Sequence, residues 1–305
     1  MSVAAVIDAP AGRQKRVLPG FGLTMGLTLT YVGIIVLLPV IALVLKGAEI
    51  GPTRFWEIVT APRTLAALRL TITAAALATV FNAAYGLLMA WVLVRYRFPG
   101  RRLLDAMMDI PFALPTAVAG LALTALFSAN GWYGAILAPT GISVVYTIWG
   151  IAIAMSFTSI PFVVRTVQPI LEDLDPGQEE AARTLGATPF QIFTRVIFPA
   201  ILPAFLIGTT IAFARSLGEF GAVIFIAGNL PMKTEIASLL AVIRLEEYDY
   251  NGAAAIALTL VAIALVLLAL SNWLQARLTR RRVPALTRSP PQPLPPAPIA
   301  APHGC

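Results

Sequence analysis

The chain has 305 residues, 58% of them hydrophobic and only 12% charged, with a mean hydropathy of +0.82. Soluble domains carry about 25% charged residues, so an ordinary soluble enzyme is excluded and a polytopic membrane protein is indicated. The +7 net charge, 22 Lys and Arg against 15 Asp and Glu, fits either nucleic acid or an uneven loading of the two membrane faces. His303 and Cys305 are single copies; this argues against intrachain disulfides, Cys–His and Ser–His relays and zinc clusters, and no catalytic or metal site is expected.

In chain order, residues 1–21 read as a disordered cytoplasmic segment. Asp8 precedes the basic cluster and the apolar run that follows is 24 residues long, which suits a first span better than a cleaved signal. Six charge-free windows are long enough to cross about 30 Å of hydrocarbon as helix. They are Gly22–Leu45, Leu70–Val94, Ile110–Ala129, Ile142–Val164, Val196–Ala214 and Gly252–Leu274. The shorter run Gly221–Gly228 is expected to be a re-entrant or interfacial piece continuing from the fifth span. Residues 276–305, basic and then proline-rich, read as a disordered tail. The expected class is therefore all-α, with six transmembrane helices over residues 22–275.

The charges orient these spans. With the N-terminus inside, the cytoplasmic segments hold 15 Lys and Arg and the outer segments 6, with Arg215 in or beside the membrane. That asymmetry places both termini in the cytoplasm and removes the nucleic-acid reading. Trp91 and Trp273 near inner ends and Trp132 near an outer one fit interfacial anchors.

The cytoplasmic loop between spans four and five, residues 174–199, carries the densest local signals. Asp175 before Pro176 predicts a helix start, with Gln178 placed to close a capping box. Gly186 suits a left-handed stop, and Thr188-Pro189-Phe190-Gln191 repeats the start. Two short helices meeting at a glycine hinge are expected, the first, Pro176–Leu185, about 15 Å long. Such a helix is marginal alone, so Ala181, Ala182 and Leu185 must dock, on the chain's own membrane domain or on a cytoplasmic partner.

Here residues carry a resemblance. Glu180-Ala181-Ala182, three residues, Gly186, nine residues, then Val196-Ile197-Phe198-Pro199 resembles the EAA loop of ABC importer permeases. The stretches DIPFALPTAVAG (109–120), SLGEFGAVIFIAGN (216–229) and LEEYDYNG (245–252) resemble the T-type (CysT family) permease of sulfate/thiosulfate importers. The likeness runs from about residue 64 to 275. It implies the type I permease fold in a bacterial inner membrane, two cytoplasmic ATPase subunits, a second W-type permease and a periplasmic sulfate-binding protein. It also implies ATPase coupling through Glu180, Ala181, Ala182, Leu185 and Gly186. The chain has no Gly-x-x-x-x-Gly-Lys loop; none of Lys15, Lys46 and Lys233 follows a glycine. ATP and magnesium are therefore expected on the partners, and this chain is expected to hold no cofactor.

The remaining charges each admit two readings. Arg215 and Glu219, four apart on one helical face, are a neutralised pair or part of an anion path. Gly218 and Gly221 beside them serve close approach to a ligand or helix packing. Asp109, at the start of span three beside Pro111 and Pro115, is expected to interact with the helix dipole. Glu246, Glu247 and Asp249, interleaved with Tyr248 and Tyr250, form a solvated loop or a docking surface for the binding protein. Two rival functions stand beside sulfate import: a molybdate or tungstate permease, and a membrane scaffold that transports nothing.

Overall fold

A computed structural model describes residues 21–280. Among them are fifteen α-helices and no strand. The first span, Gly22–Glu49, consists of α1 (Phe21–Val32) and α2 (Leu38–Glu49) joined through a π turn. The short α3 (Pro52–Thr60) leads into α4 (Pro62–Arg95), whose 34 residues measure about 51 Å. Next come α5 (Arg101–Met107), α6 (Ile110–Ala113), α7 (Thr116–Phe127) and α8 (Trp132–Leu137). The fourth span is α9 (Ile148–Glu172). After α10 (Pro176–Thr184), α11 (Pro189–Ile192) runs through a π turn into α12 (Phe198–Leu217). The remainder is α13 (Gly221–Ala227), α14 (Ala237–Glu246) and α15 (Tyr250–Arg280). Six of the resulting spans are long and apolar enough to cross a membrane.

Three expected boundaries are corrected. The third window, Ile110–Ala129, is not one helix. Leu114 is extended, at φ −86° and ψ 134°, and α7 starts only at Thr116. Pro115 is the cause: its ring drives the preceding residue out of the helical region. The fourth helix starts at Ile148 rather than Ile142, because Gly141 and Tyr146 take left-handed conformations in the preceding loop. It ends at Glu172, eight residues past the expected Val164. At the C-terminal side the last helix continues through Arg280, beyond residue 275, while residues 281–305 and 1–20 lie outside the described range.

The core is built around α9, which packs between α4 and α12. Two glycines permit this. A Cβ at Gly86 would meet Val163, and one at Gly208 would strike the Thr166 hydroxyl. Asn82 of α4 donates to the Ser159 hydroxyl of α9 at 2.8 Å, and Ser159 shares a hydrogen bond with Ser216 of α12 at 3.0 Å. All three side chains are buried, so this polar thread links three helices where lipid offers no alternative partner. By contrast, α1 and α2 bury only Gly47, which meets Leu258 of α15. The first span is a peripheral strut.

The short run Gly221–Gly228 forms α13, one face of which is buried in the core. In α13, Ala222, Val223, Ile226 and Ala227 are fully buried among Ala74, Ile151 and Met155. It does not continue from α12, since residues 218–220 break the helix. It crosses α7 so closely that a Cβ on Gly120 would hit the Ala222 carbonyl and one on Gly221 the Thr116 hydroxyl. Gly221 is thus a packing glycine. Gly218 has no such neighbour, its nearest atom being the Arg215 carbonyl at 3.9 Å.

Candidate functional site

The loop singled out by the sequence forms a capped elbow standing off the helical bundle. Asp175 caps α10 by accepting from the Gly177 N–H at 2.9 Å. The capping box expected between Asp175 and Gln178 is absent. It forms instead at the next start, where Thr188 accepts from the Gln191 N–H and Gln191 from the Thr188 N–H. Gly186 is left-handed, φ +81°. The Gly186 N–H reaches the Arg183 carbonyl and the Ala187 N–H the Ala182 carbonyl, which satisfies the last turn of α10. The second helix is not a separate short one: α11 is the first turn of the fifth span, Pro189–Leu217. Any displacement of α10 therefore acts directly on a membrane-crossing rod.

The small face expected to dock is divided. Ala182 packs into the lower core cluster with Leu174 and Ala187. Ala181 is exposed, Leu185 is 88% exposed and Phe190 75% exposed. Glu180 also faces solvent. The residue that anchors α10 is its neighbour Glu179, which is buried and ion-paired to Arg95 at the end of α4. The Arg95 guanidinium lies 5.2 Å from the centre of the Trp91 ring, and Trp91 packs edge-on against Phe193. Trp91 thus also packs α4 against the start of the fifth span. Sequence reasoning missed this clamp. Its only trace was an arginine at the end of a charge-free span, one turn after a tryptophan.

Asp109 is also corrected. Its side chain makes no cap hydrogen bond to α6. Both of its oxygens accept from Arg165 of α9, at 2.9 and 2.6 Å, and Arg165 additionally donates to Asp105 Oδ1 at 2.6 Å. A forked guanidinium between two carboxylates fastens the α5–α6 elbow to the central helix.

Arg215 and Glu219 are paired at 2.6 Å. Glu219 is 1% exposed, and its other oxygen accepts from the Ala222 N–H at 3.0 Å, the first turn of α13. A carboxylate there complements the helix end. A second pair of the same kind was not foreseen: Arg63 of α4 forks onto Glu235, which is 1% exposed, at 2.9 and 2.6 Å. In the acidic patch, Glu247 and Asp249 lie 3.6 and 3.5 Å from Arg244, and Asp249 accepts from the Gly252 N–H at 2.9 Å to start α15. Glu246 and Tyr248 remain exposed.

Comparison with known proteins places this arrangement. Residues 82–283 match the model of the family described as binding-protein-dependent transport system inner membrane component. The sulfate transport system permease protein CysT of Salmonella typhimurium is 57% identical over 270 residues, covering 88% of this chain and 98% of that protein. The protein of the same name from Synechocystis is 47% identical over 248 residues, covering 81% and 87%. Among solved structures, a bacterial ABC transporter importing the acidic polysaccharide alginate aligns with a TM-score of 0.69 at 20% identity, over 85% of this chain and 96% of that one. The MetNI methionine ABC transporter aligns with a TM-score of 0.57 at 19% identity, over 72% and 97%. These two likenesses establish the fold. The chain belongs to the binding-protein-dependent transport inner membrane family and, within it, to the CysT permeases.

Proposed function

We propose that this chain is one permease of an ATP-driven importer that carries sulfate or thiosulfate into the cytoplasm by alternating access. The observation that carries the reading is near full-length similarity to sulfate permeases, joined to an intact coupling elbow. The complex is completed by two cytoplasmic ATPase subunits that hold ATP and magnesium, a second W-type permease and a periplasmic binding protein. Both termini lie in the cytoplasm of the inner membrane.

An energy source is required. Moving one charge against 100 mV costs about 2.3 kcal/mol, so a dianion costs roughly twice that before any concentration gradient. A passive pore would run outward. In the proposed cycle the ATPases close on ATP and press on α10 through Glu180, Ala181 and Leu185, the side chains left open to solvent. Gly186 is the hinge, and α11 passes the displacement into α12. The Glu179–Arg95 clamp couples the same movement to α4. The binding protein docks near Glu246, Glu247 and Asp249 and releases its anion into the outward-open cavity. Arg215 lies beside that path, its charge offset by Glu219 until an anion arrives.

The test is uptake of labelled sulfate, thiosulfate and molybdate by cells lacking the chain, with and without its restoration. Sulfate or thiosulfate uptake that returns with the chain supports the reading. Restoration of molybdate alone would replace it with the molybdate permease, and restoration of none with the scaffold.

A further inference from the structure

At the basic end of α4 lies a cavity that the transport cycle does not use. α4 ends at Arg95, Tyr96 is extended, Gly100 turns left-handed at φ +88°, and α5 begins at Arg101. The cavity, about 560 Å³, is lined by Arg97, Phe98, Gly100, Arg101, Arg102 and Asp105. Three guanidinium groups thus face one carboxylate, and Asp105 Oδ1 is already held by Arg165 at 2.6 Å. Among the described residues none of Arg97, Arg101 and Arg102 has a carboxylate partner. Uncompensated cations at this density call for an anion.

Two further observations say which kind. The charge-free stretch Leu70–Val94 stops immediately before Arg95, and a five-residue link spans at most about 17 Å. The arginines therefore sit at the level of lipid headgroups. Beside them, Tyr96, Leu103 and Met107 are exposed, Leu103 at 67%. Leu103 and Met107, four apart, share one helical face. A row of bare apolar side chains next to unpaired arginines is costly in water and natural at the bilayer boundary. A free soluble anion accounts for the arginines and leaves that row without a role.

We infer that this cavity binds an anionic phospholipid. Arg97, Arg101 and Arg102 take the phosphate, for which the planar guanidinium fork is suited, and Leu103 and Met107 lie along an acyl chain. The site is independent of which anion is imported. It holds the α4–α5 turn, and with it the Arg165-clamped elbow, at a fixed depth.

The test reconstitutes the full-length chain in nanodiscs of equal phosphatidylglycerol and phosphatidylcholine, and mass spectrometry measures the lipid retained after mild detergent release. Phosphatidylglycerol is expected to be preferred, and the R97Q/R101Q/R102Q variant to weaken its retention about a hundredfold, near fivefold per arginine. Leu103→Gln, which leaves every charge and the membrane orientation intact, is expected to lower it about threefold. Equal retention of both lipids by the unmodified chain overturns the inference. So does an unchanged preference in the triple variant, or in Leu103→Gln should the triple variant fail to insert. Inorganic phosphate that displaces phosphatidylglycerol equally well from the unmodified chain and from Leu103→Gln would assign the arginines to a free anion and overturn it. Loss of a co-purifying acidic protein from the triple variant, with lipid preference retained, would overturn it in favour of a protein contact.

Discussion

The two ends of the molecule use the same chemical device to different effect. At the end where α4 begins, Arg63–Glu235 and Arg215–Glu219 each set a guanidinium about one-third exposed on a carboxylate that is 1% exposed. Around them the loops fold inward: α13 is buried, and the Thr71 hydroxyl accepts from the Ala237 N–H at 2.8 Å to start α14. At the opposite end Arg95–Glu179 anchors α10. Leu185 at the end of α10 and Phe190 in α11 stay open. The first two pairs sit in an enclosed part of the fold, whereas the third holds a helix whose neighbouring side chains stay exposed.

That contrast can be broken by substitution. The largest effect is expected for Glu235→Ala, which strands Arg63 and removes a fully buried acid. Arg63 stays partly solvated, so the loss is that of its forked hydrogen bonds to a charged group, about 2–3 kcal/mol. Thermal unfolding in detergent should come earlier and membrane yield fall with it. Unfolding like that of the unmodified chain would show that this end is not held by the pair. Glu179→Gln is expected to cost about 2 kcal/mol, the scale of a hydrogen bond to a charged group. Here the readout is local: hydrogen exchange in residues 176–187 should quicken while the transmembrane helices stay protected. If the whole bundle loosens, Arg95–Glu179 is as structural as the other two pairs.

Gly186→Val forces a β-branched residue into the left-handed region, a cost of about 1–2 kcal/mol. The protein should still insert. ATP hydrolysis should continue in the assembled complex while uptake falls, and normal uptake would remove Gly186 as the hinge. The smallest effect on stability is expected for Glu180→Lys, within about 0.5 kcal/mol because the side chain faces solvent. It should nevertheless abolish coupling. A variant that unfolds early, or one that transports normally, would contradict the division of labour between Glu179 and Glu180. For Arg215→Ala, unchanged anion uptake in an assembled complex would restrict that residue to neutralising Glu219.

Much of this was readable in the sequence, for local reasons. The charge-free runs, the proline and Asp175 at the start of α10 and the glycine at its end act through neighbours a few residues away. Their outcome hardly depends on the rest of the chain. Errors began where a local rule met a tertiary one. Pro115 divided a span that hydropathy alone joined, and Asp109, placed correctly at a helix start, turned to Arg165, 56 residues away. Gly221–Gly228 was too short to span and was expected to be re-entrant or interfacial, with no sign of what it would pack against. It is buried because Gly120 and Gly221 let α7 and α13 cross at backbone distance. Glu180 attracted attention through a resemblance, while Glu179, indistinguishable from it by composition, makes the buried contact.

The sequence by itself determined the membrane class, the number of spans, the orientation signal and the stops and starts of the elbow. Each depends on hydropathy or on backbone preference within one or two turns. The tertiary structure alone decided which charges far apart in the chain are partners. Arg95 finds Glu179 across 84 residues and Arg63 finds Glu235 across 172. Such pairs are chosen by the helix packing that brings them together, since a desolvated charge takes whichever opposite charge the fold sets beside it.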